Sequence, residues 1–212
     1  MPPPAEFRLP RFYPIVDTEA AARHGIDPHQ AAAEILDAGA EILQLRHKGF
    51  FSREVFELAQ RMSQLCAQAR VPFVMNDRAD LAVLLGAVLH LGQDDLTPSQ
   101  ARRVTGPALP IGYSTHNEAQ LRAAAQEPAD YLALGPIFGT ASKLNPDPVV
   151  GVAELRRLRP LTSRPLVAIG GITRENAASV LESGADSVAV IGDLFAGTDL
   201  RGRVKSWLAA AG

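Results

Sequence analysis

Eight short apolar runs recur along the chain, each followed by a polar or glycine-bearing stretch and then an amphipathic segment of helical period. The runs are FYPIV (12–16), EILQL (41–45), PFVM (72–75), AVLHL (87–91), LPIGY (109–113), DYLAL (130–134), PLVAI (165–169) and DSVAVI (186–191). Strands that alternate with helices must lie parallel, because each return crossing consumes a helix. Eight units of about 25 residues predict a closed (β/α)₈ barrel of the α/β class, at the lower end of its usual size. The barrel is expected over residues 11–212, behind an extended proline-rich tail at 1–10 that either covers the barrel floor or moves freely. A doubly wound open sheet is the alternative. It normally has fewer strands, and no GxGxxG follows the first run.

Helix punctuation supports the same division. Ser52, Thr97-Pro98 and Asn117-Glu118 read as helix openings, and Gly39, Gly86, Gly106 and Gly184 stand where helices should end. No linker or low-complexity insert argues for a second domain.

Composition then removes whole classes of function. At 47% hydrophobic and 21% charged the chain is an ordinary globular protein. A net charge of −2 offers no basic field for nucleic acid or an anionic membrane. The single cysteine, Cys66, permits no disulfide within the chain. The amino-terminal MPPPAEFRLPRF lacks the apolar core of a signal peptide, and the longest apolar stretch, near Leu81 to Leu91, is too short to span a bilayer and contains His90. A cytoplasmic protein is expected. The sequence is compatible with a homo-oligomer.

In a (β/α)₈ barrel the site forms where the strands end. The first run leads to Asp17. The second leads to Gln44, Arg46 and Lys48, whose spacing of two puts all three on the inward face while Leu43 and Leu45 face the helices. The third exits into Asn76, Asp77 and Arg78, the fourth into Gln93, Asp94 and Asp95, and the fifth into Ser114, Thr115 and His116. The sixth opens a long loop, GPIFGTASKLNPDPVVG, that carries Thr140, Ser142 and Lys143. The seventh ends in Gly170-Gly171 with Thr173 opening a helix, and the eighth in Ile191-Gly192. Glycines after the last two strands let backbone N–H groups approach an anion closely. Arg46, Lys48 and Lys143 around one mouth with Asp77 and Asp95 fit a polyphosphate held with Mg²⁺, which takes one or two carboxylates and completes its shell with phosphate and water. The structural reading is that Asp77 pairs with Arg78 or Arg46, Asp95 caps the helix at Thr97-Pro98, and the second-run cations form a solvated rim. His90 is expected as a hydrogen-bonded core residue and His116 as a candidate acid/base. His24 and His29 are expected in solvent, and Asp130 and Asp186 in structural roles at the opposite face.

The exits QLRHK (44–48), MNDRADLA (75–82), LHLGQDDL (89–96), GYSTH (112–116), YLALGPIFGTASK (131–143) and VAIGGI (167–172) together resemble the thiamine-phosphate synthase family over about Phe12 to Phe195. The resemblance implies a barrel transferase of thiamine biosynthesis that joins hydroxymethylpyrimidine diphosphate to hydroxyethylthiazole phosphate and releases pyrophosphate, with Mg²⁺. It implies that Gln44, Arg46 and Lys48 contact the pyrimidine diphosphate, with Asn76 and Ser114 beside it. Asp77 and Asp95 would ligate Mg²⁺, and Lys143 would neutralise the departing pyrophosphate. Thr140, Ala141, Ser142, Gly170, Gly171, Ile191 and Gly192 would hold the thiazole phosphate. Ser142 stands where the family usually has threonine, and Gly192 where it usually has serine. Asp193 follows, and an inward Asp193 would repel the phosphate. A thiazole phosphate tautomerase using His116 is the nearest rival, followed by a non-catalytic barrel that binds a phosphorylated ligand.

Overall fold

The structure, a computed structural model, describes residues 7–140 and 147–212. Its strands are β1 (Phe12–Asp17), β2 (Leu43–Arg46), β3 (Phe73–Asn76), β4 (Val88–Leu91), β5 (Ile111–Thr115), β6 (Tyr131–Leu134), β7 (Leu166–Ile169) and β8 (Ser187–Val190). All pair in parallel with their sequence neighbours, and β8 closes on β1 with Phe12 opposite Val188. That last pairing excludes the open sheet. Helices α1 (Thr18–Arg23), α2 (Pro28–Asp37), α3 (Arg53–Ala69), α4 (Ala79–Leu85), α5 (Pro98–Thr105), α6 (Glu118–Ala124), α7 (Gly151–Leu158), α8 (Arg174–Glu182) and α9 (Leu200–Ala211) belong to the crossovers and the carboxyl-terminal segment.

Strand alternation builds two cores. Leu43, Leu45, Met75, Leu89, Leu91, Leu132 and Leu134 face outward into the layer shared with the helices. Tyr13, Ile15, Ile42, Val74, Val88, Tyr131, Ala133, Val167 and Ala189 fill the barrel interior, and Phe7 and Leu9 pack against them. Burying one such aliphatic side chain stabilises the fold by roughly 1.5–3 kcal/mol.

Local chemistry explains where the helices begin. Ser52, Thr97 and Asn117 accept the N–H groups of Val55, Gln100 and Gln120, and Thr97 with Gln100 forms a reciprocal capping box. Helix α1 is an addition to the sequence reading. It follows β1 without a loop, because Asp17 ends the strand and caps the helix by accepting the Ala20 N–H at 2.8 Å.

The fifth strand also differs from its apolar run. It starts at Ile111 and continues through Thr115, so Ser114 lies within the sheet rather than after it. Pro110 has no N–H to give to a ladder and contributes only its carbonyl, to the Leu89 N–H at 2.9 Å. Asp130 and Asp186 have the same structural task at two places. Each carboxylate takes the first N–H of the preceding strand, Ile111 at 2.7 Å and Leu166 at 2.8 Å, and an arginine from a flanking helical segment.

Candidate active site

A cavity of about 890 Å³ opens at the carboxyl ends of the strands, a size suited to small-molecule substrates. Gln44, Arg46, Lys48, Asn76, Asp77, Asp95, Ser114, Thr140, Gly170, Gly171, Ile191 and Gly192 all line it. Ala141, Ser142 and Lys143 lie outside the described residues.

The charged groups are paired differently from the structural reading of the sequence. Arg46 donates from Nη1 to Asp17 Oδ2, while Oδ1 of the same carboxylate caps α1. Arg78 pairs with Asp80 at 2.5 Å, and so is engaged away from Asp77. Asp77 instead receives Lys48, with Nζ 2.5 Å from Oδ2. Asp95 does not cap α5, since Thr97 does so; its Oδ2 accepts the Gly92 N–H at 2.8 Å.

The backbone aims Asp77 into the cavity. Its φ of +66° is unusual for a residue with a side chain, and aspartate is among the few that tolerate it. The turn is anchored by the Asp77 N–H on the His90 carbonyl at 2.8 Å. Burial, and then the neighbouring Asp95 carboxyl, push the Asp77 pKa up to about 6, against the pull of Lys48. Two facing carboxylates short of positive charge form a hard-oxygen donor set that suits a divalent cation. Among the described residues no group of three or more His, Cys, Asp or Glu side chains could hold a metal.

Below this mouth, Asn76 is buried and its Nδ2 has no hydrogen-bond partner. A buried amide donor left unmade costs roughly 1–3 kcal/mol, which a bound acceptor would relieve. His90 is a buried core residue, as its apolar strand pattern suggests, and lies 2.9 Å from Ser114 Oγ. Burial pushes its pKa down to about 4. His116 places Nδ1 2.6 Å from the Gly135 carbonyl, which requires an N–H there, and Nε2 3.5 Å from Asp147.

On the opposite side, glycine shapes the wall. Gly171 has φ +62°, and a Cβ there would stand 2.4 Å from the Gly139 carbonyl oxygen. Only glycine lets the β7 exit lie against the loop after β6. Asp193 does not face this cup as a bare anion. Its Oδ2 accepts from Trp207 Nε1 at 2.8 Å and Arg203 Nη1 at 3.1 Å, with Arg174 Nε 3.5 Å away. The repulsion anticipated from Asp193 is therefore neutralised within the wall.

This arrangement matches known proteins along almost its whole length. The model of the family described as thiamine monophosphate synthase matches residues 12–194. A thiamine-phosphate synthase of Koribacter versatilis is 49% identical over 207 residues, covering 95% of each chain. The chain belongs to the thiamine monophosphate synthase family. A thiamine-phosphate synthase of Shouchella clausii is 37% identical, over 94% of this chain and 95% of its own. The solved thiamine phosphate pyrophosphorylase of Pyrococcus furiosus superposes with a TM-score of 0.84 at 30% identity, covering 95% of each chain. These synthase relatives do not favour the isomerase reading built on His116.

Several residues that line this cavity escape a reading of strand exits. Tyr13 lines the cavity from within an apolar run, and only its inward alternation with Ile15 signals it. Arg23 and His24 reach the cavity from the end of α1, and His24, though exposed, donates from Nδ1 to the Ala20 carbonyl at 2.9 Å. Asp147 enters from the far end of the long loop, with no local signature.

Proposed function

We propose that this chain condenses hydroxymethylpyrimidine diphosphate with hydroxyethylthiazole phosphate to give thiamine phosphate and pyrophosphate. The observation that carries the reading is the convergence on one cavity of Lys48 and Arg46, the Asp77–Asp95 pair and the glycine-walled cup. An isomerase has no diphosphate to hold and no need of both acids.

In the reaction the bond between the pyrimidine methylene carbon and the diphosphate oxygen breaks, and its electron pair leaves on pyrophosphate. The thiazole nitrogen lone pair then forms the new carbon–nitrogen bond. No proton must be removed to reach the thiazolium product, so the chain's task is to stabilise the leaving charge and align the two rings.

Arg46, Lys48 and Lys143 act on the diphosphate as the catalytic cations. Gln44, Asn76 and Ser114 hold the pyrimidine, and Asn76 Nδ2 meets an acceptor that the free site lacks. Thr140, Ala141, Ser142, Gly170, Gly171, Ile191 and Gly192 hold the thiazole phosphate, largely through backbone donors. Asp77 and Asp95 would hold Mg²⁺, which would supply positive charge to the departing pyrophosphate. In the substrate-free protein Lys48 compensates Asp77, and a bound diphosphate would draw Lys48 to itself.

The protein works in the cytoplasm on small molecules, without nucleic acid or membrane. In support, no helix among the described residues is long and apolar enough to cross a bilayer. Incubation of the purified protein with both substrates and Mg²⁺ should yield thiamine phosphate, and omission of either substrate should abolish it. Absence of thiamine phosphate from the complete mixture would overturn the proposal.

A further inference from the structure

Under the charged mouth runs a continuous chain of side-chain hydrogen bonds contributed by five strands. Gln44 Nε2 donates to Tyr13 Oη at 2.8 Å. Tyr13 Oη lies 3.0 Å from Tyr131 Oη, Tyr131 Oη 3.0 Å from His90 Nδ1, and His90 Nε2 2.9 Å from Ser114 Oγ. Gln44 and Ser114, the two ends, both line the cavity, whereas Tyr131 does not reach it. Tyr131 is fully buried.

The barrel makes room for this tyrosine. A Cβ on Gly112 would fall 2.1 Å from Tyr131 Cζ, so the ring occupies the space where β5 would otherwise project a side chain. Gly112 is not among the glycines with positive φ, and space is therefore what glycine provides here. A polar group of that size at the barrel centre is costly unless each of its hydrogen bonds is made.

With Gln44 donating through Nε2, the protons along the chain set what its ends offer. Each phenol has a single proton. With Gln44 donating to Tyr13, Tyr13 passes its proton to Tyr131, and Tyr131 passes its own to His90 Nδ1. His90 then carries its proton on Nε2 and gives it to Ser114 Oγ. Every link is made, and the Ser114 hydroxyl proton remains to point into the cavity. Gln44 lines the cavity, and its Oε1, which the chain does not use, is available to accept a hydrogen bond. With the Gln44 amide so oriented, the reverse direction would leave the buried Tyr13 Oη accepting twice, with its own proton unplaced in the chain.

We infer that Tyr131 is a positioning residue for the pyrimidine, which acts through His90 to make Ser114 a hydrogen-bond donor beside the Gln44 acceptor. This pair fits a heterocycle edge that offers an amino group next to an unprotonated ring nitrogen. It opposes an edge in which an oxo group and a ring N–H exchange those roles. The inference rests on the reading that the pyrimidine diphosphate sits on Gln44 and Ser114.

The test compares binding of the aminopyrimidine diphosphate and its oxo analogue to wild type and Tyr131→Phe by titration calorimetry, alongside KM for both substrates. Wild type should prefer the amino compound by at least about fivefold, the smaller effect of one mismatched buried hydrogen-bonding group. In Tyr131→Phe that preference should shrink, and KM should rise for the pyrimidine diphosphate but not for the thiazole phosphate. Equal changes in both KM values, or an unchanged preference, would overturn the inference while synthase activity of wild type kept the functional reading intact. Wild type that makes no thiamine phosphate would instead remove the functional reading itself. Nitrogen-15 NMR of His90 in wild type is independent of activity and of the variant's folding. A neutral ring protonated on Nε2 is expected, and a ring protonated on Nδ1 would overturn the inference.

Discussion

Lys48 on the β2 exit places its ammonium 2.5 Å from the Asp77 carboxylate on the β3 exit, and Asp95 faces the same cavity. One cation serves two acids on that side of the mouth, and burial first, then the Asp95 carboxyl, push the Asp77 pKa up to about 6. The pairing makes the two acids unequal to their neighbours. Asp95→Asn should raise the Mg²⁺ concentration needed for half-maximal rate on the order of 10- to 100-fold, as loss of a group fixing a metal does. Asp94→Asn, at an exposed position, should leave it nearly unchanged. Metal titrations of the steady-state rate decide between them, and equal effects would contradict the assignment.

The glycine cup should be separable from the diphosphate side. Gly171→Ala sets a methyl group 2.4 Å from the Gly139 carbonyl oxygen on a backbone with φ +62°. The wall must shift, and a displacement near 1 Å costs roughly 100-fold in a positioned reaction. KM for the thiazole phosphate should rise far more than KM for the pyrimidine diphosphate.

The fold was legible in the sequence because eight period-two runs separated by helical segments admit few closures. The exit residues were legible for the same reason: alternation placed Gln44, Arg46 and Lys48 on one face before any contact was known. Partner choice was not. Nothing in the local sequence says that Arg46 meets Asp17 29 residues earlier, or that Lys48 rather than Arg78 meets Asp77. The Tyr13 and Tyr131 hydroxyls sit 118 residues apart in sequence, and read as ordinary aromatic core until the barrel joins them.

Stability should fall in mild acid because of His90. Burial lowers its folded pKa from 6.5 to about 4, so the unfolded chain takes up a proton first as pH drops. The histidine's share is lost progressively from about pH 6.5 down to pH 4, about 2 kcal/mol of it between pH 7.5 and pH 5. The raised pKa of Asp77 works in the opposite sense between about 6 and 3.8, where the folded state binds the extra proton. Urea unfolding of wild type and His90→Asn across this range separates the two: the variant should lack the histidine's share of the loss.

Asp193 ties the last helix to the cup. Replacing it by alanine leaves the Trp207 indole N–H and the Arg203 guanidinium without their acceptor in a largely buried wall. Asp193→Ala should cost about 2–3 kcal/mol. Glu154→Ala, which removes an exposed partner of Arg157, should change stability far less. Chemical denaturation midpoints compare the two directly.

The most direct test of the site is a crystal structure with Mg²⁺ and an unreactive analogue of the pyrimidine diphosphate. One ion should lie within about 2.0–2.1 Å of oxygen atoms from Asp77, Asp95 and the diphosphate, with Lys48 moved onto the phosphate. An ion bound elsewhere, with Lys48 still on Asp77, would contradict the account.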